Sequence, residues 1–159
     1  MLTQKRVKEL LTYNQYTGVF RWRVKKPNTN VGMVAGCSRY DGRRLISLDG
    51  KLYLSSRLAW LYMTGKWPAN QIDHKNCVRN DDKFSNLRDV DGFTNQQNQR
   101  RAHKGSKSGF LGVNPSRDGY ESKIMVNGKS HWLGSFKSAS KARDVYLMAK
   151  RKLHEGCTI

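Results

Sequence analysis

Residues 102–108, Ala-His-Lys-Gly-Ser-Lys-Ser, divide this chain. They are small, polar and basic, the composition of a linker rather than of a segment that joins a core. The pattern of apolar residues differs on their two sides, so the chain must build two small cores. Hydrophobic content is 37% over 159 residues, which leaves room for no large one.

On the N-terminal side, Thr3 caps a helix through about Leu11, with Val7, Leu10 and Leu11 on one side. Strand-like pieces follow at 19–23, 44–48 and 52–54, the last two joined by a tight Asp49-Gly50 turn. Ser55 or Ser56 can cap a helix over 57–64, ended by Gly65 and Pro68. Its Leu58, Leu61 and Tyr62 follow helical spacing and read as core. Ile72-Asp73-His74 reads as a short strand with 86–90 as its partner, and a helix runs from Thr94 to about Arg101. Past the linker, strands are expected at 110–114, 120–126 and 130–136, with turns at Asp118-Gly119 and Asn127-Gly128. Ser138 can cap a final helix carrying Ala142, Val145, Tyr146, Ala149 and Leu153 on one face.

Charge narrows the partners. The chain has 30 Lys+Arg against 12 Asp+Glu, a net +18. Such a surface suits a polyanion: nucleic acid first, an anionic membrane second. Neither a basic amphipathic helix nor a long apolar run is present, which argues against the membrane, and the start lacks a signal-peptide pattern. Cys37, Cys77 and Cys157 lie far apart with no C-x-x-C spacing, against a disulfide framework and a structural zinc. A cytoplasmic setting follows from these readings.

The charge is unevenly spread. Residues 1–70 hold 13 basic and 3 acidic residues, residues 71–100 hold 5 of each, and residues 101–159 hold 12 and 4. Basic flanks can grip phosphate while a neutral centre with carboxylates holds a cation. Inside that centre lie Asp73, His74, Asn86 and Asn95. Histidine titrates near neutral pH and can take a proton from water. Asp73 and the side-chain carbonyl of Asn95 are hard oxygens of the kind Mg2+ prefers. Strand neighbours point to opposite faces, so Asp73 and His74 serve metal and water separately only if the strand is distorted or the phosphate lies between them.

Asp73-His74, Asn76, Arg79, Asp81, Asn86-Leu87-Arg88 and Asn95-Gln96-Gln97-Asn98 together resemble the signature of HNH endonucleases, in the subgroup of phage and intron-encoded homing enzymes. Tyr16-Thr17-Gly18-Val19-Phe20, Arg57-Leu58-Ala59-Trp60 and Thr64-Gly65-Lys66-Trp67-Pro68 resemble the stretch that precedes it in phage members. The resemblance implies a ββα-metal fold, Asp73 and Asn95 on one Mg2+ or Mn2+ and His74 as general base. Asn86 would orient His74 through backbone hydrogen bonding. Two departures stand out: Ser56 occupies a position where relatives often have histidine, and the zinc-binding cysteine pairs of some members are missing.

Ser108-Gly109-Phe110-Leu111-Gly112-Val113, Trp132-Leu133-Gly134-Ser135-Phe136 and Ala139-x-x-Ala142 resemble the Apetala-type DNA-binding domain of plant ethylene-response factors. That family lays its three-stranded sheet in the major groove. The match would turn Asn114, Lys123, Met125, Ser130 and Trp132 towards DNA; Trp132 is equally suited to core packing. Alternation puts Lys123 and Met125 on one face and Ser122, Ile124 and Val126 on the other. Arg79, Arg88, Arg100, Arg101, Lys104, Lys107 and Arg117 are further DNA-binding candidates.

The expected class is α+β: residues 1–101 a nuclease unit with an N-terminal β-rich extension (motif 72–101), 102–108 a linker, and 109–159 a three-stranded antiparallel sheet packed on one helix. The expected function is metal-dependent cleavage of double-stranded DNA by a phage-encoded, homing-like monomer or homodimer. The alternative is a DNA-binding regulator without catalysis. RNA binding is weaker, since no stacking motif of the common RNA modules appears.

Overall fold

The computed structural model describes residues 1–158. Its chain divides into two compact units, Met1–Asp91 and Gly92–Ile159, each with small helices and small antiparallel sheets. The division falls ahead of the expected 102–108 linker.

In the first unit, Thr3 caps helix α1 (Gln4–Leu10) by accepting from the Arg6 amide at 3.2 Å. Leu11 leaves the helix in an extended conformation and starts strand β1 (Leu11–Asn14), which pairs with β2 (Val19–Trp22). The expected helix therefore stops one residue sooner. Strand β4 (Arg44–Leu48) lies between a two-residue β3 (Cys37–Ser38) and β5 (Lys51–Leu54). The β4–β5 turn uses left-handed Asp49 and Gly50, and both Asp49 oxygens accept from Arg6.

Helix α2 (Ser55–Thr64) starts earlier than expected, and neither serine caps it. Ser55 and Ser56 lie buried in its first turn, the Ser55 hydroxyl without a hydrogen-bond partner. Gly65 ends the helix in the left-handed conformation. The connection to β6 (Gln71–His74) is then fixed twice. Asp89 accepts from the Ala69 and Asn70 amides at 2.6 and 2.8 Å, and Arg57 donates to the Asn70 carbonyl at 2.8 Å. A 3-10 turn (Phe84–Asn86) leads into β7 (Leu87–Val90), antiparallel to β6. Val7, Leu11, Phe20, Ile46, Leu58, Leu61 and Leu87 share one buried core, so β7 is anchored in it.

The second unit opens with helix α3 (Gly92–Gln97), which starts two residues earlier and ends four sooner than the expected 94–101. Its sheet has the order β10-β9-β8, with β8 (Val113–Ser116), β9 (Gly119–Val126) and β10 (Lys129–Phe136). Strand β8 is shifted from the expected 110–114. Ser108 folds 108–113 into a turn, its hydroxyl donating to the Val113 carbonyl at 2.6 Å, and Gly112 adopts a left-handed conformation beneath the Tyr146 ring. Pro115 is tolerated because β8 is an edge.

Helix α4 (Ala139–Leu153) covers the sheet through Ala142 and Tyr146. The Ser138 side chain makes no capping bond, contrary to expectation; only its carbonyl accepts, from the Ala142 amide. The buried Lys150 ammonium donates to the Gln99 carbonyl. The Gly156 amide donates to Gln97 Oε1 at 2.9 Å, and Arg100 Nη2 donates to the Thr158 carbonyl at 3.1 Å. These bonds tie residues 97–100 to the C-terminal segment, which accounts for a unit boundary before α3.

Candidate active site

Strands β6 and β7 pair without a register shift, Asp73 opposite Arg88 and His74 opposite Leu87. Side chains directly opposite in an antiparallel pair share a face. His74 therefore shares a face with core residue Leu87, and Asp73 leaves the other face beside Arg88. The strand is regular over these residues, so the distortion considered from the sequence does not occur. His74 is instead the last residue of β6, where the chain turns sharply. The Cys77 amide donates to the His74 carbonyl at 2.8 Å, with Cys77 at a left-handed φ.

The turn opens the 75–86 loop, which brings a carboxylate back to the ring. His74 Nε2 and Asp82 Oδ1 are 2.8 Å apart, and their side chains are only 6% and 4% exposed. Exclusion of water at both ends makes this pair directional and strong. In the tautomer that places a hydrogen on Nε2, Nδ1 is the ring's acceptor. Asp82 is held in turn from β1: the Tyr13 hydroxyl donates to its carbonyl at 2.6 Å. Burial pushes the Tyr13 hydroxyl's pKa up, and the Asp82 and Asp81 charges add to this, so it remains a donor at neutral pH. The Phe84 amide donates to the Gln15 carbonyl at 3.1 Å, and a Cβ on Gly18 would overlap the Asp82 and Lys83 backbone. The β1–β2 hairpin thus grips the loop at the residues that carry Asp82.

Asn86 organises the rest of the loop. Its Oδ1 accepts from the Asn76 amide at 3.0 Å, and its Nδ2 donates to Asn76 Oδ1 at 3.0 Å and to the Asp81 carbonyl at 2.7 Å. Asn76 Nδ2 closes the network on Asp81 Oδ2 at 2.7 Å. The Asn86 carbonyl accepts from the Lys75 amide, next to His74. Arg88 Nε and Nη2 donate to Asp73 Oδ2 at 2.8 and 2.7 Å, so this expected DNA ligand is engaged by a carboxylate.

Among the described residues, no group of three or more His, Cys, Asp or Glu could hold a metal ion. A cation here would rest on few protein oxygens. In the first unit Asp73 offers one carboxylate, partly engaged by Arg88; Asn95 lies on α3 of the second unit. A single carboxylate oxygen fits Mg2+, which usually keeps several waters and one or two carboxylates alongside substrate phosphate. No helix among the described residues is long and apolar enough to cross a membrane.

The other candidates fall on the second unit or the loop. Arg79 is exposed on the 75–86 loop; Arg101, Lys104, Lys107, Asn114, Arg117 and Ser130 are exposed on the second unit. Lys123 pairs with Glu121 at 2.8 Å. Alternation in β9 holds: Ser122 and Ile124 are buried beneath α4, and Met125 is 53% exposed. Trp132, opposite Lys123 in the ladder, is 64% exposed, which excludes core packing for its ring. A basic and aromatic strip therefore lies on the sheet face away from the helix.

Sequence reasoning missed Asp82. The signal was present as two carboxylates, Asp81-Asp82, in a polar loop within ten residues of a histidine. Adjacency gave no means of choosing between them, and Tyr13 lies too far away in sequence to suggest itself.

No curated protein and no solved structure matches the chain significantly. A family model described as HNH endonuclease matches residues 53–100, the stretch that runs from β5 past α3 and contains Asp73, His74, Asn86 and Asn95.

Proposed function

We propose that the protein is a metal-dependent endonuclease that hydrolyses phosphodiester bonds in double-stranded DNA, with His74 as general base. The observation that carries the proposal is the buried His74–Asp82 pair, inside the segment similar to HNH endonucleases and next to Asp73. Asp82 fixes the tautomer and direction of the ring. Nδ1 takes the proton of a water as its oxygen attacks phosphorus, and the bond from phosphorus to the leaving oxygen breaks. Asp73 would hold one Mg2+ or Mn2+, with Asn95 as the further ligand that the HNH resemblance implies, and the ion would supply neutralisation of the charge growing on the leaving oxygen. Asn86 keeps the 75–86 loop closed around His74. The β8–β10 sheet holds the duplex through Asn114, Lys123, Met125, Ser130 and Trp132, with Arg79, Arg100, Arg101, Lys104, Lys107 and Arg117 on phosphates. The phage-type, homing-like character is part of the same reading, supported by the upstream resemblance at 16–20 and 57–68.

One observation favours a second reading. Arg88 Nε and Nη2 both reach Asp73 Oδ2, as in a protein whose carboxylate is neutralised by an arginine in place of a cation. That protein would bind DNA without cutting it. Incubation with supercoiled plasmid separates the two. The nuclease converts it to nicked or linear form with Mg2+ or Mn2+ and leaves it intact in EDTA. A regulator retards the plasmid under both conditions and never cuts it.

A further inference from the structure

The turn that joins β3 to β4 presents an aromatic side chain that the fold does not use. Tyr40 is 92% exposed at its tip. The turn itself is tightly made. The Arg39 amide donates to the Arg43 carbonyl at 2.7 Å, and the Gly42 amide donates to the Arg39 carbonyl at 2.9 Å, with Gly42 at φ 86°. Asp41 locks it from inside: Oδ1 accepts from the Arg43 amide at 3.1 Å, and Oδ2 accepts from Arg43 Nη1 at 2.8 Å with Arg39 Nε 3.7 Å away. Arg39 also covers Tyr40, its guanidinium 5.0 Å from the ring centre and Nη2 at 3.2 Å from the hydroxyl. The phenol is thus held outward on a rigid base with little freedom left to lose on binding.

The position of the turn gives that arrangement a use. Arg79 Nη1 donates to the Asp41 carbonyl at 3.3 Å, and Arg79 belongs to the 75–86 loop that carries Asp82 back to His74. Arg39, Arg43 and Arg79 against Asp41 leave two positive charges around the tyrosine. A rigid aromatic flanked by guanidinium groups matches one ligand chemistry well: a deoxyribose between two phosphates of a DNA backbone. An acidic protein surface would satisfy the charges but not the ring.

We propose that the Arg39–Arg43 turn is a second DNA-gripping element, which packs Tyr40 against a deoxyribose of the duplex beside the bond to be cut while Arg39 and Arg43 hold the neighbouring phosphates. The inference rests on the nuclease reading for the identity of the substrate and for the location of the cut. It makes residues outside the 53–100 segment part of substrate recognition. Sugar and phosphate are the same at every nucleotide, so this grip adds affinity without sequence preference.

The test reads binding apart from cleavage. A mixed-sequence 40-bp duplex is titrated in EDTA with wild type, Tyr40→Ala, Arg43→Gln and, as a control, Lys5→Gln, across a salt series by fluorescence anisotropy. Tyr40→Ala should bind about 5-fold or more weakly with an unchanged salt slope, because it removes apolar packing and no charge. Arg43→Gln should lower the slope by about one. Circular dichroism verifies that each variant is folded; Tyr40→Phe, which keeps the ring, should bind like wild type. Wild-type affinity in Tyr40→Ala overturns the proposal, as does tighter binding of single-stranded than of duplex competitor. Failure of wild type to cut plasmid with Mg2+ would instead remove the nuclease reading, and the EDTA titration would still decide whether the turn grips DNA.

Discussion

Replacing Asp82 with alanine tests how the His74 ring is held. The substitution removes the carboxylate oxygen 2.8 Å from Nε2 in a pocket where neither partner is more than 6% exposed. A buried polar group left unsatisfied costs about 1–3 kcal/mol. Against a typical total of about 5–15 kcal/mol the protein stays folded at 25 °C. For a unit of this size the melting midpoint should fall by about 5–20 °C. The catalytic cost is separate: without the carboxylate the ring can rotate and can move its hydrogen to Nδ1, the nitrogen that must accept the water proton. Loss of a general base costs about 10²–10⁴-fold, and loss of its orientation should approach the lower figure, about 10²-fold in kcat. Asp82→Asn can still offer an oxygen to Nε2–H and should lose less. Single-turnover nicking of supercoiled plasmid with Mg2+, at saturating protein and well below the melting midpoint, gives the rate; anisotropy in EDTA gives the affinity. A folded Asp82→Ala protein that nicks at the wild-type rate would refute the reasoning, since His74 would then need no carboxylate to act.

Three further outcomes are expected. Asp73→Ala should abolish cleavage and weaken Mn2+ binding by calorimetry, because few other protein oxygens hold the ion; equal affinity in both proteins would remove Asp73 as a ligand. Trp132→Ala should weaken duplex binding while leaving the circular dichroism melt unchanged, as its ring is 64% exposed. A melt lowered without loss of binding would reverse that assignment. A chain ending at Ser108 should lose cleavage as well as affinity, since it lacks Lys150, Gly156 and Thr158, the hydrogen-bond partners of residues 97–100 next to Asn95's helix. Metal-dependent nicking by the truncated chain would show that α3 needs none of them.

What was legible in the sequence was whatever local chemistry fixes. Thr3 caps α1, Gly65 ends α2, and Asp49-Gly50 and Asn127-Gly128 adopt the left-handed turns their composition demands. The pairing of 72–74 with 86–90, read as two short strand-like pieces around a polar loop, is found over Gln71–His74 and Leu87–Val90. Misses came where tertiary pairing overrides local preference. Leu10 and Leu11 both suit the core face of a helix, yet Leu11 opens β1 because its partner Trp22 is already in the sheet. Cys37-Ser38 carries no alternation at all and is a strand only by pairing with Arg44 and Leu45. Ser55 reads as a cap but is drawn into α2 and buried. In the candidate site, the residue types and spacing of Asp73, His74, Asn86 and Asn95 were readable. The Asp82 carboxylate and the Tyr13 hydrogen bond beneath it were not, because a loop's closure and a contact across 69 residues leave no periodic trace.

The central claim is that His74 takes a proton from water during phosphodiester cleavage. It is tested most directly by single-turnover plasmid cleavage with Mg2+, wild type beside His74→Ala, with DNA affinity measured in EDTA for both. The account predicts metal-dependent cutting by wild type, a rate about 10²–10⁴-fold lower in the variant, and unchanged affinity. Equal cleavage rates in the two proteins would contradict it.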